Sequence, residues 1–121
     1  MTSDPTGHRV LLTGAAGPLG RRLLWILAND PDVGEVIAVD SCDLAPVRSV
    51  WGSGRPSLRT VRGRLASLDL VEVTAGVDQV IHLAAGMGDE LDGTGVAGVD
   101  VPGTRSLLAA LGEVESMVVL S

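Results

Sequence analysis

The stretch Val10-Leu11-Leu12-Thr13-Gly14-Ala15-Ala16-Gly17-Pro18-Leu19-Gly20 decides how the rest of the chain is read. An apolar run ends at Leu12, glycines follow at 14, 17 and 20, and apolar residues then recur at Leu19, Leu23, Ile26 and Leu27 with helical spacing. The pattern predicts a buried strand, a tight turn and a helix whose first turn accommodates Pro18. Gly14 permits the sharp turn off the strand. Gly17 lets the backbone approach a diphosphate without an intervening side chain, and Gly20 lets the helix pack close to the sheet. The helix N-terminus adds unpaired N–H groups and a partial positive charge. The expected ligand is a dinucleotide, with Gly14, Ala16, Gly17, Pro18, Leu19 and Gly20 around its phosphates. The competing reading is a tight strand-to-helix turn that binds nothing.

An acid in the right place favours the first reading. Val36-Ile37-Ala38-Val39 reads as a second strand, and Asp40 closes it twenty residues beyond Gly20. A carboxylate there accepts hydrogen bonds from ribose hydroxyls and repels a 2′-phosphate, so NAD is expected over NADP. Arg48 and Arg55 are the cations within sequence reach of such a phosphate.

Working outward, the first helix should stop near Asn29-Asp30-Pro31, since proline disfavours helix at the residue before it. A short helix follows over 45–51, a third strand over 58–61, a helix over 65–75 and a fourth strand over 80–83. A Gly-rich loop over 86–98 leads to a helix over 103–111 and a fifth strand over 117–120. Strands alternating with helices imply βαβ units, a parallel sheet and helices on both of its faces. The expected fold is therefore a Rossmann-like α/β domain over 8–121, preceded by a flexible N-terminus over 1–7. Internal repeats, linkers and a second domain are not expected.

Composition bounds the chemistry. The chain has 121 residues and 12.4 kDa, one domain's worth, and 45% of its residues are apolar. It contains no Tyr, no Phe and no Lys, so all nine basic residues are Arg. No phenolate and no amine base can be supplied by this chain. A net charge of −6 argues against general nucleic-acid binding. That charge is uneven: residues 1–65 hold eight Arg against six acids, whereas residues 66–121 hold Arg105 against nine. An anionic ligand is expected on the first half.

The single cysteine, Cys42, precludes an internal disulfide, and with only His8 and His82 besides, no metal centre is expected. The polar N-terminus and the lack of a long apolar run read as a cytoplasmic chain without membrane attachment. Cys42 reads as a small loop residue rather than a reactive thiol. His82 reads as a satisfied core or cleft-edge histidine, Trp25 as helix packing, and Trp51 as a candidate flank of an adenine pocket. Asp89, Glu90 and Asp92 lie in the Gly-rich loop and read as a solvated turn.

Four segments together resemble the extended short-chain dehydrogenase/reductase family, the NAD-dependent epimerases and dehydratases. Thr13–Gly20 is similar to its T-G-x-x-G-x-x-G loop, and His82-Leu83-Ala84-Ala85 to its H-L-A-A segment. Val99-Asp100-Val101-Pro102-Gly103-Thr104 with Leu107-Leu108 resembles its N-V-x-G-T-x-x-L-L helix, and Val118-Val119-Leu120-Ser121 its fifth strand. The resemblance implies strand order 3-2-1-4-5, and Leu83, Ala84 and Ala85 along the path to nicotinamide. It also implies a nucleotide sugar or another small molecule as substrate of a complete enzyme. Arg64-Leu65 stands where the family carries an acid and an apolar residue against adenine, which leaves the Leu65 backbone N–H as the contact there. Asp100 stands where Asn is usual.

The family's catalytic Ser/Thr and Tyr-x-x-x-Lys follow the fifth strand. The match ends at Ser121, so no catalytic residue is assigned and this chain alone is expected to be inactive. The expectation is the NAD-binding portion of an oxidoreductase, truncated after its fifth strand. The alternatives are a non-catalytic dinucleotide-binding module, or an interaction module that self-associates through the apolar fifth strand.

Overall fold

Strand formation follows the alternation of apolar side chains along four short runs and a fifth at the edge. The computed structural model describes residues 7–52, 56–83, 101–112 and 114–120. β1 (His8–Thr13), β2 (Val33–Asp40), β3 (Ser57–Arg62), β4 (Gln79–Leu83) and β5 (Ser116–Leu120) form one parallel sheet in the order β3-β2-β1-β4-β5. Val10 lies beside Val36, Leu12 beside Ala38 and Ile81, and Thr13 beside His82.

The period-two alternation sorts these side chains into two cores. Val10, Leu12, Val36 and Ala38 face α1 (Pro18–Ala28) and α2 (Ala45–Trp51), which bury Leu24, Leu27, Val47 and Trp51 against them. Leu11, Ile37, Val39 and Val80 face the opposite way, toward Leu65, Leu70, Val73 and Leu107. Those residues belong to a 3-10 turn (Leu65–Ser67), α3 (Leu70–Val73) and α4 (Val101–Ala110). Helices thus cover both faces. The strand order reverses between β1 and β4, which opens a crevice at the carboxyl ends of the strands.

The doubly wound α/β architecture matches the sequence reading, and α2 has the expected bounds. The strands are one to three residues longer at one or both ends, because the sheet ladder continues past the purely apolar runs. The helix expected over 65–75 is broken in two. Leu68 is extended, at φ −86 and ψ 155, and the Asp69 carboxylate accepts a hydrogen bond from the Glu72 N–H, so a new helix starts there. Trp25 is 63% exposed, outside the stripe Gly20, Leu24, Leu27 and Ala28 that α1 buries. Residues 1–6, the Gly-rich loop, Asp89, Glu90, Asp92 and Asp100 lie outside the described residues.

Candidate functional site

β1 delivers the chain to the crevice at Thr13, and the turn begins at Gly14 with φ +72, a conformation other residues rarely adopt. A Cβ on Gly14 would also lie 2.9 Å from the Leu83 Cβ of β4. The Ala15 N–H then donates to the Val39 carbonyl at 3.2 Å, and the Gly17 N–H to the Gly14 carbonyl at 3.3 Å. Gly20 packs so tightly that a Cβ there would collide with the Gly14 carbonyl oxygen and sit 2.7 Å from the Ala15 Cα.

Gly17 is different. It has ordinary extended angles, φ −75 and ψ 172, and a Cβ built on it meets only the Gly14 carbonyl oxygen, at 3.7 Å. The fold therefore does not require glycine at this position. Gly17 caps the eleven-residue α1 without a side-chain hydrogen bond, Pro18 occupies its first turn, and that turn holds no acid. Pro18 and Leu19 are exposed there, at the positive end of the helix.

Asp40 ends β2 and grips this corner from the side. One carboxylate oxygen accepts the Ala16 N–H at 2.9 Å, and the other accepts the Cys42 N–H at 2.8 Å. Each oxygen retains a second lone pair for a further donor. The Asp40 carbonyl accepts the Gly63 N–H at 2.9 Å, which ties in the end of β3. Arg62 stands beside Asp40 in register, and its Nε donates to the Ser41 carbonyl at 3.4 Å. Sequence spacing pointed to Arg48 and Arg55 as the nearby cations. Arg55 lies outside the described residues, and among the described residues Arg62 donates to the Asp40–Ser41 corner. Only the pairing of β2 with β3 could have revealed it.

The remaining expected residues divide. Leu65 buries its side chain in the second core, and Leu83 is partly buried against Gly14 and the first core. Ala84 and Ala85 lie outside the described residues. Trp51 does not flank the crevice: it is the last residue of α2, buried in the first core, and its indole N–H donates to the Pro56 carbonyl at 2.6 Å. With Arg21, Leu24, Trp25 and Val50 it lines a cavity of about 270 Å³ between α1 and α2. Cys42 is exposed in the loop after β2, as its sequence context suggested.

His82 is buried, and its ring bridges two hydroxyls. Nδ1 lies 2.6 Å from Thr13 Oγ1, and Nε2 lies 2.8 Å from Thr104 Oγ1 on α4. Thr13 Oγ1 also accepts the Leu83 N–H at 3.1 Å. The expectation of a satisfied histidine holds. Among the described residues, no three His, Cys, Asp or Glu side chains cluster in a way that could hold a metal ion. No described helix is long and apolar enough to cross a membrane.

Comparison with known proteins places this geometry in context. No family model matches the chain. The dTDP-glucose 4,6-dehydratase of Streptomyces griseus is 36% identical over 109 residues, a match covering 84% of this chain and 33% of that protein. MoeE5, solved in complex with UDP-glucuronic acid and NAD, has a TM-score of 0.70 and 36% identity over 92% of this chain and 36% of its own. The UDP-glucuronic acid 4-epimerase of Bacillus cereus has a TM-score of 0.71 over 93% of this chain and 40% of its own, at 22% identity, a likeness of fold alone. The chain thus spans about a third of the length of the relatives it matches, 33% of the dehydratase and 36% of MoeE5. Glycine corner, strand order and shared sequence agree: the chain belongs to the extended short-chain dehydrogenase/reductase family of NAD-dependent epimerases and dehydratases, and matches the N-terminal portion of its members.

Proposed function

We propose that this chain binds NAD at the glycine corner, as the cofactor-binding portion of an epimerase/dehydratase-type oxidoreductase. The observation that carries the reading is Gly17, a glycine with ordinary backbone angles where an added Cβ would meet nothing closer than 3.7 Å. Such a position is explained by a ligand that must approach the backbone. Gly14, Ala16, Gly17, Pro18, Leu19 and Gly20 receive the diphosphate at the N-terminus of α1. Asp40 offers its free lone pairs to the adenosine ribose. Leu65 contributes its backbone N–H on the adenine side, and Leu83, Ala84 and Ala85 line the path toward nicotinamide.

When bound, NAD accepts and returns a hydride. The chain's own residues bind and orient it, and with no Tyr and no Lys in the sequence they supply no phenol or amine for proton transfer. That step, and recognition of a nucleotide-sugar substrate, are assigned to the two thirds of the relatives' length that this chain does not match. The relatives' ligands support this substrate class, since MoeE5 was solved with UDP-glucuronic acid and with UDP-glucose. A second reading, self-association, is favoured by one observation. β5 is an outer strand, and its Val118 and Val119 are each 50% exposed.

NADH titration, followed by tryptophan fluorescence and by calorimetry, tests the cofactor reading. Saturable binding is expected, and Gly17→Val should weaken it by at least about tenfold while the melting temperature holds. No saturation at millimolar NADH would leave the interaction module as the better reading. Unchanged affinity in Gly17→Val would reduce the corner to a turn.

A further inference from the structure

We propose that His82, fixed as its Nε2–H tautomer, is a positioning residue that couples α4 to the glycine corner. The tautomer follows from counting hydrogens. Thr13 is buried, and its Oγ1 has two partners, the Leu83 N–H at 3.1 Å and His82 Nδ1 at 2.6 Å. The Leu83 N–H can only donate, so the single hydroxyl hydrogen of Thr13 has only Nδ1 to go to. Nδ1 therefore accepts, and the ring carries its proton on Nε2, from which it donates to Thr104 Oγ1 at 2.8 Å. The opposite tautomer would leave the Thr13 hydroxyl hydrogen buried without an acceptor.

The hydrogen bonds run in one direction: Leu83 N–H to Thr13, Thr13 O–H to His82, His82 N–H to Thr104. Both ends matter to the crevice. Thr13 immediately precedes the φ +72 turn at Gly14, and Gly14 rests directly on Leu83. His82 thus fixes the carboxyl ends of β1 and β4, adjacent in register, to a helix that lies on the opposite side of the sheet from α1. The ring acts through Thr13 and Leu83, and its role rests on the reading of the glycine corner as the dinucleotide site.

Thr104→Val removes the hydroxyl that meets Nε2–H at 2.8 Å and lies outside the glycine corner. Nitrogen-15 NMR of the imidazole in the full chain should show the Nε2–H tautomer, and Thr104→Val should shift that signal. The same variant should weaken NADH binding by roughly three- to tenfold. Thr104→Ser, which keeps the hydroxyl, should restore both. Leu107→Ala is the control: Leu107 is fully buried on the same helix, so its truncation lowers the melting temperature at least as far. It should leave both affinity and tautomer in place.

An Nδ1–H ring in the unaltered chain overturns the proposal, as does NADH affinity unchanged by Thr104→Val or equally weakened by Leu107→Ala. Failure of the unaltered chain to bind NADH removes the cofactor reading itself, whatever the tautomer, and the positioning role falls with it.

Discussion

The two halves of the sheet are finished to different degrees. In the β3-β2-β1 half, Val10, Leu11, Leu12, Val36, Ile37, Ala38 and Val39 are each at most 1% exposed, and the outer strand β3 carries Arg59 and Arg62. In the β4-β5 half, the outer strand reads Ser116-Met117-Val118-Val119-Leu120, with no charge, and Val118 and Val119 are half exposed on opposite faces. Charged residues blunt an edge strand against pairing, and apolar ones leave it open. The glycine corner stands where the first half meets the second. The dinucleotide site proposed at that corner would hold its ligand by backbone groups, and the buried strands β1 and β2 position them.

The strongest way to break this comparison is Gly20→Val. Its side chain would collide with the Gly14 carbonyl oxygen and crowd the Ala15 Cα, and neither can yield without lifting α1 off β1. A loss of about 3 kcal/mol or more is expected from urea unfolding, or no cooperative transition at all. Gly17→Ala, whose Cβ would stand at an ordinary 3.7 Å from the same carbonyl oxygen, should stay within about 0.5 kcal/mol of the parent. Equal stabilities for the two variants would mean that the corner is not tightly built.

Asp40→Asn probes the same half more gently. An amide keeps one acceptor oxygen but turns its NH₂ toward the Ala16 or the Cys42 N–H, so one of the two contacts becomes donor against donor. We expect about 1–2 kcal/mol less stability in the absence of any ligand, read by thermal unfolding. A residue that served only the ribose would show weaker NADH binding and an unchanged melting temperature.

These two predictions mark where the sequence was sufficient. The strands, α2 and the strand-turn-helix corner were legible because short apolar runs, glycine spacing and a proline are local signals. The position of Asp40 was legible too, but its grip on Ala16 was not, since backbone N–H groups from two loops converge on it only after folding. Arg62 reaches Ser41 through the register of β2 with β3, which no local pattern encodes. His82 meets Thr13 across 69 residues and Thr104 across 22. The break at Leu68 escaped because Asp69, as a cap, outweighs the continuous helical propensity around it.

Val118→Lys sharpens the comparison from the other half. Val118 is half exposed beside Ile81 on the face that α1 covers elsewhere, so the substitution should change stability by less than about 0.5 kcal/mol. Its effect should appear in solution mass instead. If β5 pairs with a second copy, light scattering will show concentration-dependent association in the parent and less in the variant. A large loss of stability would mean that this half is as finished as the other.

The smallest effect is expected at the opposite edge, where Arg59 Nη2 of β3 donates to Glu72 Oε1 of α3 at 2.6 Å. That hydrogen bond holds the Glu72 carboxyl below the ordinary glutamate range and raises the Arg59 guanidinium, with the mutual charge attraction acting the same way. A carboxyl depressed in the folded state contributes stability above its ordinary pKa, and the contribution disappears as the pH falls through the folded value. Glu72→Gln should therefore flatten the acid limb of a melting-temperature profile slightly and leave neutral pH almost unchanged. Both side chains are exposed, by 38% and 57%, so salt should erase even that difference. A large loss at neutral pH would show that the pair anchors β3 to α3. The expected small one assigns the firmness of this half to its buried strands and leaves the arginines the task of keeping the edge unpaired.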